Sequence, residues 1–348
     1  MDWFLPLVWT FSVSFLAIRL AKPIAVKIGL VDIPTQRKVH VGSVPLVGGI
    51  AIYIGVLTAS MMFIEQSQSL NIYLLSAAMV LFIGVLDDKY DLSVRLRIAS
   101  QIFVACMMIF GAEHYLHSFG GLFGHGTINL GVFGILVTIV AVIGCINAFN
   151  MIDGIDGLAG MLSLVAFSSL GFLFSAVTSE WFLLPIIFIA GLAAYLMFNL
   201  GWPSKALTKV FMGDAGNMFI GLTIAWLLVI GTEAEMGAFR PVTALYIIAI
   251  PLMDMAAIMY RRIKKGKSPF KPDRDHLHHI FERAGFTRRQ TLAIITVISF
   301  MFAGFGCLGE LYQWPEWLMF MLFIAVFSMY NLVLSRIWTI IAYFKKIK

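Results

Sequence analysis

The chain has 348 residues, of which 60% are hydrophobic and only 13% charged, and its formal net charge is +6. A mean hydropathy of +0.91 excludes a water-soluble globular domain and indicates a polytopic membrane protein. No hydrophilic block is long enough for a second domain, so residues 1–348 read as one integral-membrane domain.

Polar breaks leave about eleven apolar stretches near bilayer-crossing length. They run approximately 3–20, 46–64, 70–86, 98–112, 132–149, 158–177, 181–200, 211–230, 241–260, 291–309 and 317–340. The expected fold is therefore all-α. Met1–Thr10 carries no basic run, so the first stretch reads as a retained span. Cys106, Cys145 and Cys307 lie in apolar stretches without metal-ligand spacing and read as packing residues.

Charge sets the expected orientation. Taking alternate connections as cytoplasmic collects 24 of the 25 Lys and Arg residues on one side, with Arg240 opposite. The positive-inside rule then puts the N-terminus in the periplasm and the C-terminus in the cytoplasm. Every Asp except Asp2 falls on that basic side or near that end of a span, whereas Glu65, Glu113, Glu180, Glu233, Glu235, Glu310 and Glu316 fall outside. Short carboxylates gathered with Lys, Arg and His suit Mg²⁺ and phosphates. Nothing resembles a nucleic-acid-binding module.

Several motifs lie in the cytoplasmic connections, approximately 21–45, 87–97, 150–157, 201–214 and 261–290. In the first, Arg37-Lys38 could steer an anionic substrate or anchor the loop to lipid headgroups, and Gly48-Gly49 permits close packing or close ligand approach. Next comes Leu86-Asp87-Asp88-Lys89-Tyr90-Asp91. Adjacent acids at a span's end need a cation or basic neighbours, and Arg95 and Arg97 could grip phosphate oxygens. Asp91 reads better as a helix cap. Asn147-Ala-Phe-Asn150-Met-Ile-Asp153-Gly-Ile-Asp156-Gly157 repeats an oxygen-bearing side chain every third residue, which helical geometry would gather on one face. Its acids read as a site, or alternatively as a solvated cap. Phe211-Met-Gly213-Asp214-Ala-Gly216-Asn217 opens a span, and Asp214 could be a ligand or that helix's own cap. Asp254 lies inside a span, where structural pairing, with Arg261 and Arg262 as candidate partners, is the preferred reading. Asp273-Arg274-Asp275-His276-Leu277-His278-His279 lacks the partners of a zinc site and suits a diphosphate or a sugar better than zinc.

Taken in order, LDDKYD, NAFNMIDGIDGL, FMGDAGN and PDRDHLHH resemble the polyprenyl-phosphate N-acetylhexosamine-1-phosphate transferases over nearly the whole chain. HLHH in place of three consecutive histidines, Arg261-Arg262 and Arg283-Ala-Gly-Phe point to a member using UDP-GlcNAc, with phospho-N-acetylmuramoyl-pentapeptide or another N-acetylhexosamine as the alternative donor. The resemblance implies an enzyme of the bacterial inner membrane. Undecaprenyl phosphate attacks the β-phosphorus of UDP-GlcNAc, giving undecaprenyl-diphosphate-GlcNAc and UMP. This would be the first lipid-linked step of O-antigen or enterobacterial-common-antigen-type polysaccharide synthesis. A homodimer is admitted.

Roles implied by the same resemblance are carried over by residue. Asp214 is the first candidate Mg²⁺ ligand and Asn150 the second, with Mn²⁺ as a substitute ion. Asp156 and Phe211 match positions that hold uracil, the latter by stacking. Lys38, Arg97, Asn147, Arg261, Arg274, His276, His278 and His279 are candidates for phosphate or sugar contacts. Asp87, Asp88, Asp153, Asp156 and Asp214 form the catalytic set, with Asp87 and Asp88 expected to position or deprotonate the lipid phosphate. A strong base is not needed, because a phosphate monoester with a second pKa of about 6 is already largely dianionic at neutral pH. An ion-coupled transporter is the rival from another class. Its sites tend to lie near the midplane within repeats, whereas these acids collect at one end and no repeat is evident.

Overall fold

A bilayer interior offers the backbone no hydrogen-bond partners, so apolar stretches satisfy their N–H and C=O groups within helices. The computed structural model describes residues 3–33, 42–177, 179–204, 206–269 and 276–335. Lys38 and Arg274 lie outside them. In chain order, α1 is Phe4–Ile28, followed by a short antiparallel pairing of β1 (Val31–Asp32) with β2 (Val44–Pro45). Next come α2 (Gly48–Phe63), α3 (Gln68–Tyr90), α4 (Val94–Cys106), α5 (Phe133–Ile152), α6 (Leu158–Ser175) and α7 (Leu183–Leu200). The remainder is α8 (Gly213–Thr232), α9 (Pro241–Ile247), α10 (Ala249–Lys264), α11 (Leu277–Arg283), α12 (Arg288–Leu311) and α13 (Glu316–Ser335).

Among the described residues, nine helices are long and apolar enough to cross a membrane, and ten if α9 and α10 count as one span bent by 82°. The second apolar stretch becomes the shorter α2, of 16 residues. The fourth runs longer than its apolar stretch because α4 begins already at Val94, and it ends in a π-helical turn, Met107–Gly111. Exposed Leu5, Leu16, Leu20 and Ile24 on α1, with Met329 and Leu332 on α13, give an apolar outer surface suited to lipid. The chain is thus a multi-pass, mostly helical membrane protein.

Helix α8 is the axis of the bundle and is almost wholly buried from Ala215 to Gly231. Small residues let its neighbours come close. A Cβ on Gly49 of α2 would collide with the backbone of Gly216, and one on Gly84 of α3 with that of Ala215. Gly221 packs as tightly on Ile146 of α5. Gly48-Gly49 therefore serves close packing. The segment before α2 is also stitched to the entry of α8. Phe211 N–H donates to the Pro45 carbonyl at 2.9 Å, and the Gly48 and Gly49 N–H groups donate to the carbonyls of Phe211 and Met212 at 2.9 and 3.1 Å.

At the opposite end of α3 and α8, His114 joins the two helices. Its Nε2 lies 2.6 Å from Ser69 Oγ and its Nδ1 3.0 Å from Glu233. Arg240 there donates to Glu310 and to the carbonyls of Trp314 and Gly309. Both clusters tie helix ends together.

Candidate active site

The N-terminus of α8 is the floor of the site. Its first N–H groups have no partner within the helix, and the residue before it, Met212, supplies no side-chain cap. The cap comes from another helix. Asp214 N–H donates to Asp88 Oδ1 at 2.7 Å and Ala215 N–H to Oδ2 at 3.2 Å. Asp88 thus sits where the partial positive charge of the helix end favours a carboxylate. Such charge-assisted bonds are worth roughly 1.5–3 kcal/mol each. Gly213, at φ +77°, turns the chain into the helix and leaves Asp88 room, since a Cβ there would meet its Oδ2 at 2.5 Å. Asp214 is therefore not its own helix's cap, and its side chain remains for other work.

Asp87 is turned differently. It is 4% exposed, its Oδ2 accepts from Arg97 Nη1 at 2.9 Å, and its Oδ1 accepts from Leu92 N–H at 2.8 Å. It locks the end of α3 to the start of α4 while its carboxyl lies within hydrogen-bonding reach of Asp214. Arg97 is thereby placed beside the acids. Asp91 does cap a helix end, but as the left-handed residue closing α3, whereas Ser93 caps α4.

The three-residue period from Asn147 to Asp156 does not survive as one helical face. α5 ends at Ile152, so Asn147 and Asn150 stay on the helix, Asp153 closes it and Asp156 lies in the following turn. Gly157, at φ +80°, supplies the left-handed turn into α6 that the pattern alone underweights. Asn147 Nδ2 donates to Gln101 Oε1 and the Ile143 carbonyl, both at 2.8 Å, leaving its carbonyl oxygen for a ligand. Asp153 accepts from Asn217 Nδ2 at 2.7 Å, which ties the turn to the first turns of α8. Asp156 pairs with Lys209 at 2.7 Å, and the same ammonium lies 5.0 Å from the centroid of the Phe211 ring. Asp156 and Phe211, far apart in sequence, are thus joined through Lys209.

The His segment docks on this turn. His278 is 1% exposed, and its ring occupies the space a Cβ on Gly154 would need. Neither of its ring nitrogens has a hydrogen-bond partner. Burial, reinforced by neighbouring His279, His276 and Arg288, pushes its pKa well below the ordinary 6.5. Its ring is parallel to that of His276 within 13°, with centroids 5.7 Å apart. His279 pairs with Glu282 at 3.2 Å, and burial also lowers its pKa. Asp254 is paired, as its position inside a span requires. Its described partners are His276, the Leu277 N–H and Tyr330, where the sequence pointed to Arg261 and Arg262. Arg261, in the last turn of α10, donates to the Ala257 carbonyl through Nε at 3.3 Å.

A divalent cation fits this donor set. Asp87, Asp88 and Asp214 crowd the ends of α3 and α8, and Asp153 lies within electrostatic range of Asp214. Asn217 Oδ1 adds a buried oxygen with no hydrogen-bond partner. Among the described residues, no three His, Cys, Asp or Glu side chains form a ready metal cage. Mg²⁺ does not require one, being held commonly by one or two carboxylates, waters and substrate phosphates.

Four residues escaped sequence reasoning as members of the site. Lys209, two positions before Phe211, was legible only as one more cytoplasmic charge. Asn217 stands three residues after Asp214, a helical spacing that could have flagged it. Tyr195, buried on α7 within electrostatic range of Asp153 and Asp156, and Tyr330 on α13 carry no local signal at all.

Residues 70–232 match glycosyl transferase family 4. The chain is also similar, from end to end, to proteins named undecaprenyl-phosphate alpha-N-acetylglucosaminyl 1-phosphate transferase. The one from Pasteurella multocida is 47% identical, covering 99% of this chain and 97% of its own length. That of Yersinia pestis is 45% identical, over 98% of this chain and 93% of its own. The Escherichia coli K12 protein is 44% identical, over 98% and 94%.

Proposed function

This chain belongs to glycosyl transferase family 4, and on that premise we propose that it transfers GlcNAc-1-phosphate from UDP-GlcNAc to undecaprenyl phosphate. One observation carries the reading at the level of chemistry. Acids from α3, the α5–α6 turn and α8 meet at one end of the bundle, joined by the Asp88–Asp214 and Asp153–Asn217 bonds. A membrane-edge site of that kind suits a reaction between a lipid and a water-soluble nucleotide sugar. The basic residues on the same side support a site at the cytoplasmic face of the bacterial inner membrane, with the N-terminus periplasmic. Counting α2 and the bent α9–α10 pair as crossings gives the eleven spans this topology needs.

In the reaction, an oxygen of the lipid phosphate forms a bond to the β-phosphorus of UDP-GlcNAc. The bond from that phosphorus to the bridging oxygen breaks, and UMP leaves with the electron pair. Phosphoryl transfer of this kind depends on positioning and charge neutralisation more than on covalent help. Transferases of this type use a divalent metal ion. Asp214, with Asn150 as second oxygen donor, would hold Mg²⁺ or Mn²⁺, which when bound neutralises phosphate oxygens. Asp88 fixes the helix end carrying Asp214, and Asp87 holds Arg97 where its free nitrogens can reach phosphate. Phe211 offers an aromatic face for uracil and Asp156 an acceptor for its N–H, with Lys209 bridging the two. His278 seats the His segment on the turn at Gly154, and His276, His278 and His279 are the candidates for the sugar-diphosphate contacts. Lys38 and Arg274 complete the phosphate-binding candidates. The direct test supplies labelled UDP-GlcNAc and undecaprenyl phosphate to the purified protein and follows UMP and lipid-linked sugar.

A further inference from the structure

The three histidines of the His segment are not equivalent. His278 has no hydrogen-bond partner, and His279 pairs with a partly exposed glutamate on its own helix. His276 alone is backed by a carboxylate from another helix. Asp254, on α10, is 1% exposed, and three donors converge on it. His276 Nδ1 lies 2.9 Å from Oδ2, the Leu277 N–H donates to Oδ1 at 3.0 Å, and the Tyr330 hydroxyl of α13 donates to Oδ1 at 3.0 Å. These bonds fix the carboxylate's orientation from two further elements. An ionised carboxylate only accepts, so the proton of the imidazole facing it belongs on Nδ1. A ring fixed in that way has Nε2 as its one remaining polar atom.

We propose that Asp254 and Tyr330 are positioning residues that hold His276 as the Nδ1–H tautomer, so that Nε2 is a lone-pair acceptor offered to a sugar hydroxyl of the nucleotide-sugar donor. The identity of that ligand rests on the transferase reading, whereas the proton's position does not. The surroundings are consistent with a prepared group. The His278 ring stacks on His276, Arg261 lies within electrostatic range of Tyr330, and α11 begins at Leu277, whose N–H is one of the three donors. Carboxylate–imidazole pairs of this kind set tautomer and ring orientation in acid–base and metal sites alike.

The plain alternative is that Asp254 merely anchors the His segment to the bundle. The full chain in lipid nanodiscs, with Mg²⁺ and nitrogen-15-labelled histidine, separates the two. His276 is assigned by the signal lost in His276→Gln. Wild type should show the His276 proton on Nδ1. In Asp254→Asn the new amide can donate to Nδ1, so the proton should move to Nε2. The KM for UDP-GlcNAc should then rise about tenfold while the KM for undecaprenyl phosphate stays within about twofold. Tyr330→Phe, which deletes one hydroxyl, should move the UDP-GlcNAc KM in the same direction by less, and it decides the matter alone if Asp254→Asn fails to fold. A wild-type His276 proton on Nε2 would overturn the proposal. So would unchanged KM values in both variants, or a loss in both KM values and kcat that only tracks loss of folded protein. A wild type that transfers nothing to lipid sinks the transferase reading, and the proton position in its His276 still decides the positioning claim.

Discussion

Asp88, on α3, caps the helix that carries Asp214: its carboxylate receives the Asp214 N–H at 2.7 Å and the Ala215 N–H at 3.2 Å. The two acids share one site but do different work. One is engaged with the backbone, and the other is left for a ligand. Because helix geometry and the capping carboxylate come from separate spans, a change in either acid disturbs both α3 and α8.

Asp88→Asn keeps a carbonyl oxygen to cap one N–H but loses the charge. In this variant kcat should fall about 100-fold, with the loss persisting as pH rises, since the lipid phosphate is already largely dianionic at neutral pH. Steady-state kinetics of UMP release across pH 6–9 would check this. Recovery of the variant's activity at high pH with a displaced profile would instead make Asp88 a general base.

Lys209 bridges Asp156 and the Phe211 ring. Its pair with Asp156 is about one-third exposed, so its net worth is at most about 1 kcal/mol, or fivefold in affinity. Lys209→Met should raise the dissociation constant for UDP by up to about fivefold and leave the KM for undecaprenyl phosphate alone. Calorimetric titration with UDP measures it, and equal weakening toward both substrates would assign Lys209 a general electrostatic role.

Gly154 leaves the space that the His278 ring fills. A methyl group there must displace the ring or the turn, an overpacking cost of about 1–3 kcal/mol. Gly154→Ala should therefore impair UDP-GlcNAc turnover at least about tenfold while the protein still inserts and folds. Unimpaired kinetics would show that the His segment does not need this seat.

His278, neutral because burial and its neighbours lower its pKa, links the site to stability. Below pH 6.5 the unfolded chain takes up a proton at this residue that the folded chain resists. The stability contributed by its neutral state is therefore complete above pH 6.5 and declines as pH falls toward the folded pKa. Thermal unfolding at pH 7.5 and 5.5 should show a drop in wild type that is smaller in His278→Asn. An equal drop in both would assign the acid sensitivity to other groups.

Much of this was readable from residue order. The mostly helical, many-span character follows from apolar runs broken by charge, and the acids of LDDKYD, DGID and GDAGN could be gathered on one side by counting Lys and Arg. Pairings across spans were not readable, because they depend on how the helices pack. Asp88 capping α8, Asn217 holding Asp153, Lys209 holding Asp156 and Tyr330 reaching Asp254 each join residues more than 50 positions apart. The three-residue rhythm from Asn147 to Asp156 misled for a local reason. Glycines at 154 and 157 favour a turn over helix continuation, and α5 stops at Ile152.

Phosphosugar transfer to a lipid phosphate differs from simple glycosyl transfer in the nucleotide it releases. Purified protein would receive doubly labelled UDP-GlcNAc, with distinct labels on β-phosphorus and sugar, and undecaprenyl phosphate, with Mg²⁺ or with a chelator. UMP should appear in solution and both labels on the lipid in equal amounts, with neither product when the metal is chelated. Release of UDP with only the sugar label on lipid, or no transfer to lipid from any UDP-sugar, would contradict it.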